Sequence, residues 1–252
     1  MHITRIGVTP LKGTRHTELA QARLDLTGPV GDRLFCLVEA DRPRVLRTVE
    51  NPRMVLVDAA WDGAVLSVRT ANARSVTAAP EPTGELLISD YWGRDARLEI
   101  MDSPHVDLLG EHVGRAVRLA RVSQPGEVVY GGSVSIVTTG GIAGLGERDS
   151  ARFRATLTIE ANRDPEPGTV LQVGEAVVRV VGHIPRCRVI DINPATGRLD
   201  RTHLKTLAAQ NHPAGGLPLG VDAEVLVPGQ VHTGDPVRVS ENVCQPSSVA
   251  PS

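Results

Sequence analysis

The segment His183-Ile184-Pro185-Arg186-Cys187-Arg188 sets a thiol between two guanidinium side chains, at the end of a valine-rich run. The thiolate, not the thiol, attacks sulfur and ligates soft metals, and nearby cations favour that form. Strand geometry argues the other way, because successive side chains face opposite sides and Arg186 and Arg188 would point away from Cys187. Pro185 breaks such a strand and would bring the sulfur to a sheet rim. On spacing alone, a buried structural cysteine and a functional thiolate both stand. A second group is Arg152-Phe153-Arg154-Ala155-Thr156. Read as a strand, it places Arg152, Arg154 and Thr156 on one face, which suits a phosphate. The plainer alternative is a solvated edge with paired charges.

Three further features are weaker. Thr138-Thr139-Gly140-Gly141 opens a glycine-rich loop after an apolar run, where backbone N–H groups can surround an anion. It matches neither the dinucleotide fingerprint nor the P-loop. Lys12, in Pro10-Leu11-Lys12-Gly13, and Arg33, in Gly31-Asp32-Arg33, sit in turns where ligand groups often collect. The eight histidines show no zinc spacing, and no G-x-S-x-G nucleophile elbow occurs.

These side chains need a scaffold, and the composition says what kind. With 252 residues and 2% aromatics, the core must be built from Val, Leu, Ile and Ala. Valine-rich segments separated by Gly and Pro favour strands. Strands are expected at residues 2–8, 19–27, 34–39, 54–58, 64–68, 85–89, 134–137, 156–160, 176–181, 187–192, 221–227 and 237–239. Asp62-Gly63 marks a hairpin tip. Ser103-Pro104 and Thr202 open short helices. The pattern predicts a mainly β chain, a barrel or sandwich with a few short helices. A boundary near residues 95–103 divides it into 1–100 and 101–242, with 243–252 as a disordered tail.

A net charge of -2 excludes a general attraction to nucleic acid or anionic membrane. Cys36, Cys187 and Cys244 cannot all pair and none shows CxxC spacing, which suits a reducing compartment. No run approaches the ~20 apolar residues of a membrane helix, so a soluble, cytoplasmic protein is expected.

Taken in order along the chain, these pieces resemble the MOSC family, the molybdenum-cofactor sulfurase C-terminal domain and its relatives. Pro10-Leu11-Lys12-Gly13 and Gly31-Asp32-Arg33 look like signatures of the N-terminal β-barrel part that precedes many MOSC domains. Arg152-Phe153-Arg154 looks like the RFRxN element, and Arg186-Cys187 with Asn193-Pro194-Ala195-Thr196-Gly197 like the RC…DPxTG segment. His203 to Leu207, Gly220 to Ala223 and Gly234-Asp235 are similar to the closing elements. The resemblance implies a β-barrel MOSC domain behind an N-terminal β-barrel-like subdomain, binding the molybdenum cofactor. It implies Cys187 as metal ligand or persulfide carrier, with Lys12, Arg33, Thr138, Thr139, Arg152, Arg154 and Thr156 around the pterin and its phosphate. Thr156 stands where the family has asparagine, Ala155 where it has proline, and Asn193 where it has aspartate.

Three functions are consistent with this. The first is a molybdenum oxidoreductase that reduces N-oxygenated small molecules. It would be supplied by a separate electron-donor protein, since no iron–sulfur or nucleotide motif is present. The second is a sulfurtransferase passing on a Cys187 persulfide from a sulfur-donor protein, with or without molybdenum. The third is a non-catalytic module that carries the cofactor.

Overall fold

A computed structural model of the chain describes residues 1–210, 212 and 215–240. The expected tail and Cys244 lie outside the described residues. Strands dominate, and the three α-helices, His105–Val113, Thr139–Ala143 and His203–Gln210, are short.

The largest sheet has eight strands in the order Val237–Val239, Val170–Val173, Ala176–Pro185, Pro218–Val227, Val134–Thr138, Leu157–Ile159, Ile3–Val8 and Thr17–Leu19. Its pairs are antiparallel except for Val134–Thr138 beside Leu157–Ile159. An isolated bridge between His2 and Pro236 links the first strand to the last. Ile3 N–H donates to the Asp235 carbonyl and Val237 N–H to that of Met1, both at 2.9 Å. The sheet thus curls like a barrel, but one bridge spans the seam where a closed barrel would have a ladder. Ile3, Ile136, Leu157, Val178 and Val221 fill its interior. Each such side chain contributes about 1.5–3 kcal/mol on burial, which lets a core nearly free of aromatics hold the fold.

A second sheet orders Phe35–Glu39, Val117–Val122, Asp95–Asp102 and Glu81–Asp90. Two three-stranded sheets complete the described residues. In one, Asp58–Trp61 and Leu66–Arg69 form the expected hairpin. The Asp62 carboxylate accepts the Ala64 and Val65 N–H groups at its tip. Val117–Val122 pairs with both Phe35–Glu39 and Asp95–Asp102. Ile3–Val8, by contrast, belongs to the large sheet. The two halves exchange strands.

Three expected strands are 3-10 helices instead. Pro52–Leu56 replaces the strand at 54–58, with Pro52 fixing the first turn and Met54 and Val55 buried. Arg188–Asp191 replaces the strand at 187–192. The ladder stops where Pro185 faces Pro218, because neither proline can donate a hydrogen bond. Ser150–Phe153 replaces the strand through Arg152 and Arg154. The Asp149 carboxylate caps it by accepting the Ala151 N–H, and Arg154 ends it in a left-handed turn at φ 54°. The helix after Ser103 is present, but the Ser103 hydroxyl bonds His105 Nδ1 at 2.6 Å rather than capping the backbone.

Candidate functional site

Because the ladder ends at Pro185, Cys187 leaves the sheet and sits exposed at its rim, leading into the Arg188–Asp191 turn. Cys36 differs completely. It is buried in the second sheet's core, and burial pushes its thiol up to about 12. Of these two, only Cys187 has a reachable sulfur.

Cys187 lines a cavity of about 350 Å³. Lys12, Arg33, Arg47, Arg154 and Arg186 share its wall, and among the described residues no lining side chain is acidic. In a chain with slightly more carboxylates than cations, such segregation focuses positive potential on one cleft. Its backbone is also strained. Of the four non-glycine residues at positive φ among the described residues, three (Arg33 at 47°, Trp92 at 58° and Arg154 at 54°) line this cavity. Strain of this kind gathers at ligand clamps, where the surrounding structure must enforce it.

Three of the five cations, Arg33, Lys12 and Arg186, are held from behind. Arg33 pairs with Asp32, which is itself fixed by the Thr9 N–H at 2.8 Å. Arg33 Nη2 also donates to the Arg154 carbonyl at 3.4 Å, linking the two left-handed residues. Lys12 Nζ donates to the Leu46 carbonyl at 3.3 Å and lies 5.2 Å from the Tyr91 ring centre. Arg186 donates through Nε to Leu219 (2.6 Å) and through Nη1 to Phe153 (3.0 Å). Its Nη2 is buried without a hydrogen-bond partner among the described residues. Gly220, at φ 78°, makes room for that group, since a Cβ there would lie 2.9 Å from Nη2 and 2.4 Å from the Ile136 carbonyl oxygen. Arg154 makes no side-chain hydrogen bond or ion pair among the described residues. Burial, then repulsion from Arg33, lowers its pKa to about 10. Burial likewise brings Arg186 to about 10.

Lys12 is pushed down to about 8. Burial is the main cause, and Arg154 and Arg33 add repulsion against the opposing pull of the Cys36 and Cys187 sulfurs. Its charge is present below that value and is lost as pH rises through it. Sulfate keeps a constant charge over this range, so it isolates the protein's titration. Its affinity for the cavity should fall roughly tenfold between about pH 7 and 9.5, the scale of one charge-assisted hydrogen bond. Lys12→Arg should flatten the profile. Equal slopes for the two proteins would remove Lys12 from the site.

The cavity therefore gathers Cys187, Lys12, Arg33, Arg154 and Thr156. Thr156 brings a hydroxyl that is already engaged, at 3.3 Å from the Ser135 hydroxyl and accepting the Ser135 N–H. Three expected residues are placed elsewhere. Arg152 is buried in an ion-pair cluster with Glu147 and Asp200. The left-handed turn at Arg154 breaks the strand alternation that would have put both arginines on one face. Thr138 caps Thr139–Ala143 by accepting the Gly141 N–H, and donates to Asp164 at 2.7 Å. Thr139 leans on the Ala161 carbonyl at 3.4 Å. Neither threonine lines the cavity.

Sequence reasoning missed Arg186, Arg47, Tyr91, Trp92 and Tyr130. The Tyr91-Trp92-Gly93 run was the available signal, two of only six aromatic side chains placed together in a turn. Asp222 was missed as well. It lies behind Arg186, and burial raises its carboxyl to about 6 against the Gly132 N–H and Arg186. No three His, Cys, Asp or Glu side chains come together as a metal site among the described residues, and no helix among them is long and apolar enough to cross a membrane.

Comparisons with known proteins bear on this arrangement. The family model described as MOSC domain matches residues 142–238, and that described as MOSC N-terminal beta barrel domain matches residues 1–92. No curated protein matches the chain. Among solved structures, the YUAD protein from Bacillus subtilis is 12% identical over 93% of this chain and 92% of its own, with a TM-score of 0.41. YiiM from Geobacillus stearothermophilus is 16% identical over 44% of this chain and 55% of its own, at 0.31. A hypothetical protein is 10% identical over 96% of this chain and 69% of its own, at 0.40.

Proposed function

Since the chain belongs to the MOSC family and carries that family's N-terminal β-barrel domain, we propose that it binds the molybdenum cofactor in the Cys187 cavity and reduces N-oxygenated small molecules there. One observation carries this reading. An exposed thiol opens onto a cavity walled by five cations and no acid.

The residues fit such a group. A phosphate-bearing pterin needs donors, and among the described residues the cavity has uncommitted ones that include the Arg154 guanidinium and the buried Arg186 Nη2. A buried donor without a partner costs about 1–3 kcal/mol until an acceptor arrives. Cys187 would supply one soft ligand and belongs to no group of three His, Cys, Asp or Glu side chains among the described residues, so a metal held there would draw other ligands from the organic part of the cofactor. When bound, that group supplies the redox centre at which an N–O oxygen is removed.

The chain's own residues do the rest. Arg154 and Arg186 hold the anionic part, and Arg33 fixes Arg154 through its carbonyl. Removing the oxygen as water takes a pair of electrons, from a separate electron-donor protein, and a pair of protons. Lys12 Nζ, titrating at about 8, is able to give up a proton inside the cavity near neutral pH.

A second reading is favoured by one feature. The Thr156 hydroxyl is shorter than the family's asparagine and is already tied to Ser135, so one cofactor contact is weakened. In this reading the Cys187 thiolate attacks the outer sulfur of a persulfide donor. A new S–S bond forms, the donor leaves as its thiolate, and no net oxidation occurs.

Metal analysis of protein purified from a molybdenum-supplied host tests the first reading. Stoichiometric molybdenum in the wild type, lost on Cys187→Ser, is expected. Metal-free protein whose Cys187 gains about one sulfur mass from a persulfide donor would replace it with the second.

A further inference from the structure

The mouth of the cavity is built differently from its floor. Four of the six Phe, Tyr and Trp residues line this one cavity: Tyr91, Trp92, Tyr130 and Phe153. The chain folds almost without aromatics elsewhere, so their concentration here answers a local need. Trp92 and Tyr130 are about half exposed and meet edge to face with ring centres 5.6 Å apart. The Arg47 guanidinium lies 4.6 Å from the Trp92 ring centre and makes no ion pair among the described residues. Trp92 also holds a left-handed backbone at φ 58°, a conformation unfavourable for a bulky side chain. Beyond its contacts with Tyr130 and Arg47, this large ring stays half in solvent on a strained backbone. It is suited to receiving a ring from solution.

We propose that Trp92, Tyr130 and Arg47 form a selectivity site at the cavity mouth that stacks a flat, anionic aromatic ring, so that the compound acted on at Cys187 is an N-oxygenated compound carrying an aryl carboxylate. The cavity supplies the reasons for each part of that description. The indole and phenol faces favour a flat ring over a puckered one. Arg47 at the rim, with Lys12, Arg33, Arg154 and Arg186 deeper in the same cavity, favours negative charge and repels a cationic head group. The identity of the reacting compound rests on the redox reading above, whereas the stacking site does not need it.

Three unreactive probes separate shape from charge: benzoate (flat, anionic), cyclohexanecarboxylate (puckered, anionic) and benzamidine (flat, cationic). The chain has two tryptophans, so its indole N–H resonances report on Trp92 and Trp61 separately. Benzoate should shift the Trp92 signal and bind about tenfold more tightly than cyclohexanecarboxylate, the combined scale of an aromatic contact and an exposed cation–π contact. Benzamidine should bind more weakly still. Trp92→Gly removes the ring and suits the left-handed backbone, so its melting temperature should match or exceed that of the wild type. Its preference for benzoate over cyclohexanecarboxylate should disappear. Tyr130→Ala should reduce that preference. Equal binding of benzoate and cyclohexanecarboxylate by the wild type, or an undiminished preference in a folded Trp92→Gly protein, would overturn the site. Selective benzoate binding by a protein that lacks molybdenum and reductive activity would leave the site standing and remove the redox reading.

Discussion

Arg152→Ala should destabilise the protein by about 3–5 kcal/mol, the usual consequence of removing one partner from a buried ion pair. Arg152 is buried and donates to both carboxylate oxygens of Asp200, at 2.9 and 3.4 Å. Its Nε stands 3.2 Å from Glu147, an ion pair without hydrogen-bond alignment. Arg201 and His203 approach the same Glu147 carboxylate, at 3.3 and 3.5 Å. The cluster thereby ties the Ser150–Phe153 turn to the chain entering His203–Gln210. Deleting the arginine leaves two carboxylates facing each other with one exposed cation between them. A domain of this kind has only about 5–15 kcal/mol of stability, so chemical denaturation would show the loss clearly. Arg154→Ala provides the contrast. It should leave the denaturation midpoint nearly unchanged and weaken binding of a phosphate-bearing ligand by roughly 2–3 kcal/mol. If Arg152→Ala unfolded at the wild-type midpoint and lost ligand affinity instead, Arg152 would belong to the cavity after all. The cluster also predicts acid sensitivity. Burial alone would raise the Asp200 carboxyl, but the hydrogen bonds from Arg152 and Asn193 outweigh it and hold it below its usual range. A carboxyl depressed in the folded state stabilises at neutral pH, and that contribution is lost as pH falls through its folded value.

Cys187→Ser should lower reductive turnover more than about 100-fold. Removing even the groups that orient a metal ligand typically costs 10–100-fold, and on the proposed function this change removes the ligand itself. The fold should not notice, because an exposed position away from the core tolerates substitution within about 0.5 kcal/mol. Cys36→Ser reverses the pattern. That residue is fully buried and shares one apolar cluster with Val38, Leu98 and Ala120, and a hydroxyl buried there costs about 1–3 kcal/mol. Turnover per folded molecule should stay near the wild-type value. Thermal melts and steady-state rates on the two variants check both statements. A Cys187→Ser enzyme with wild-type rates would show that the sulfur is not used.

Much of this organisation was legible in the sequence, and the places where reading failed share a cause. Strand alternation located Ile3–Val8, and apolar runs located Val134–Thr138 and most of Ala176–Pro185, since all three pack into one aliphatic core. The hairpin at Asp62-Gly63 followed from turn chemistry alone. The 3-10 segments were misread because a short run such as Arg152-Phe153-Arg154 has the same alternation whether it is a strand or one tight turn. What separates the two is the left-handed backbone of Arg154, and a non-glycine residue carries no sequence mark for that. The same holds for Arg33 and Trp92. Cys187 was singled out by its neighbours in the chain, and the structure places those neighbours differently. Arg188 is not among the residues lining the cavity, while Arg186 is turned back into it by the carbonyls of Leu219 and Phe153. The strand-to-turn change after Pro185 decides this, and it depends on the partner proline at 218, which a local reading does not connect.

The cation-walled cavity and the Cys187 sulfur are held to act as a single cofactor site. Alkylation by iodoacetamide, followed by mass spectrometry on native protein with and without bound molybdenum cofactor, addresses that most directly. Cofactor-free protein should be modified rapidly at Cys187 and not at Cys36, and cofactor-loaded protein should be protected at Cys187 by more than about tenfold. Equal alkylation of Cys187 in the two forms would mean that the cofactor binds without its sulfur, contradicting the assignment.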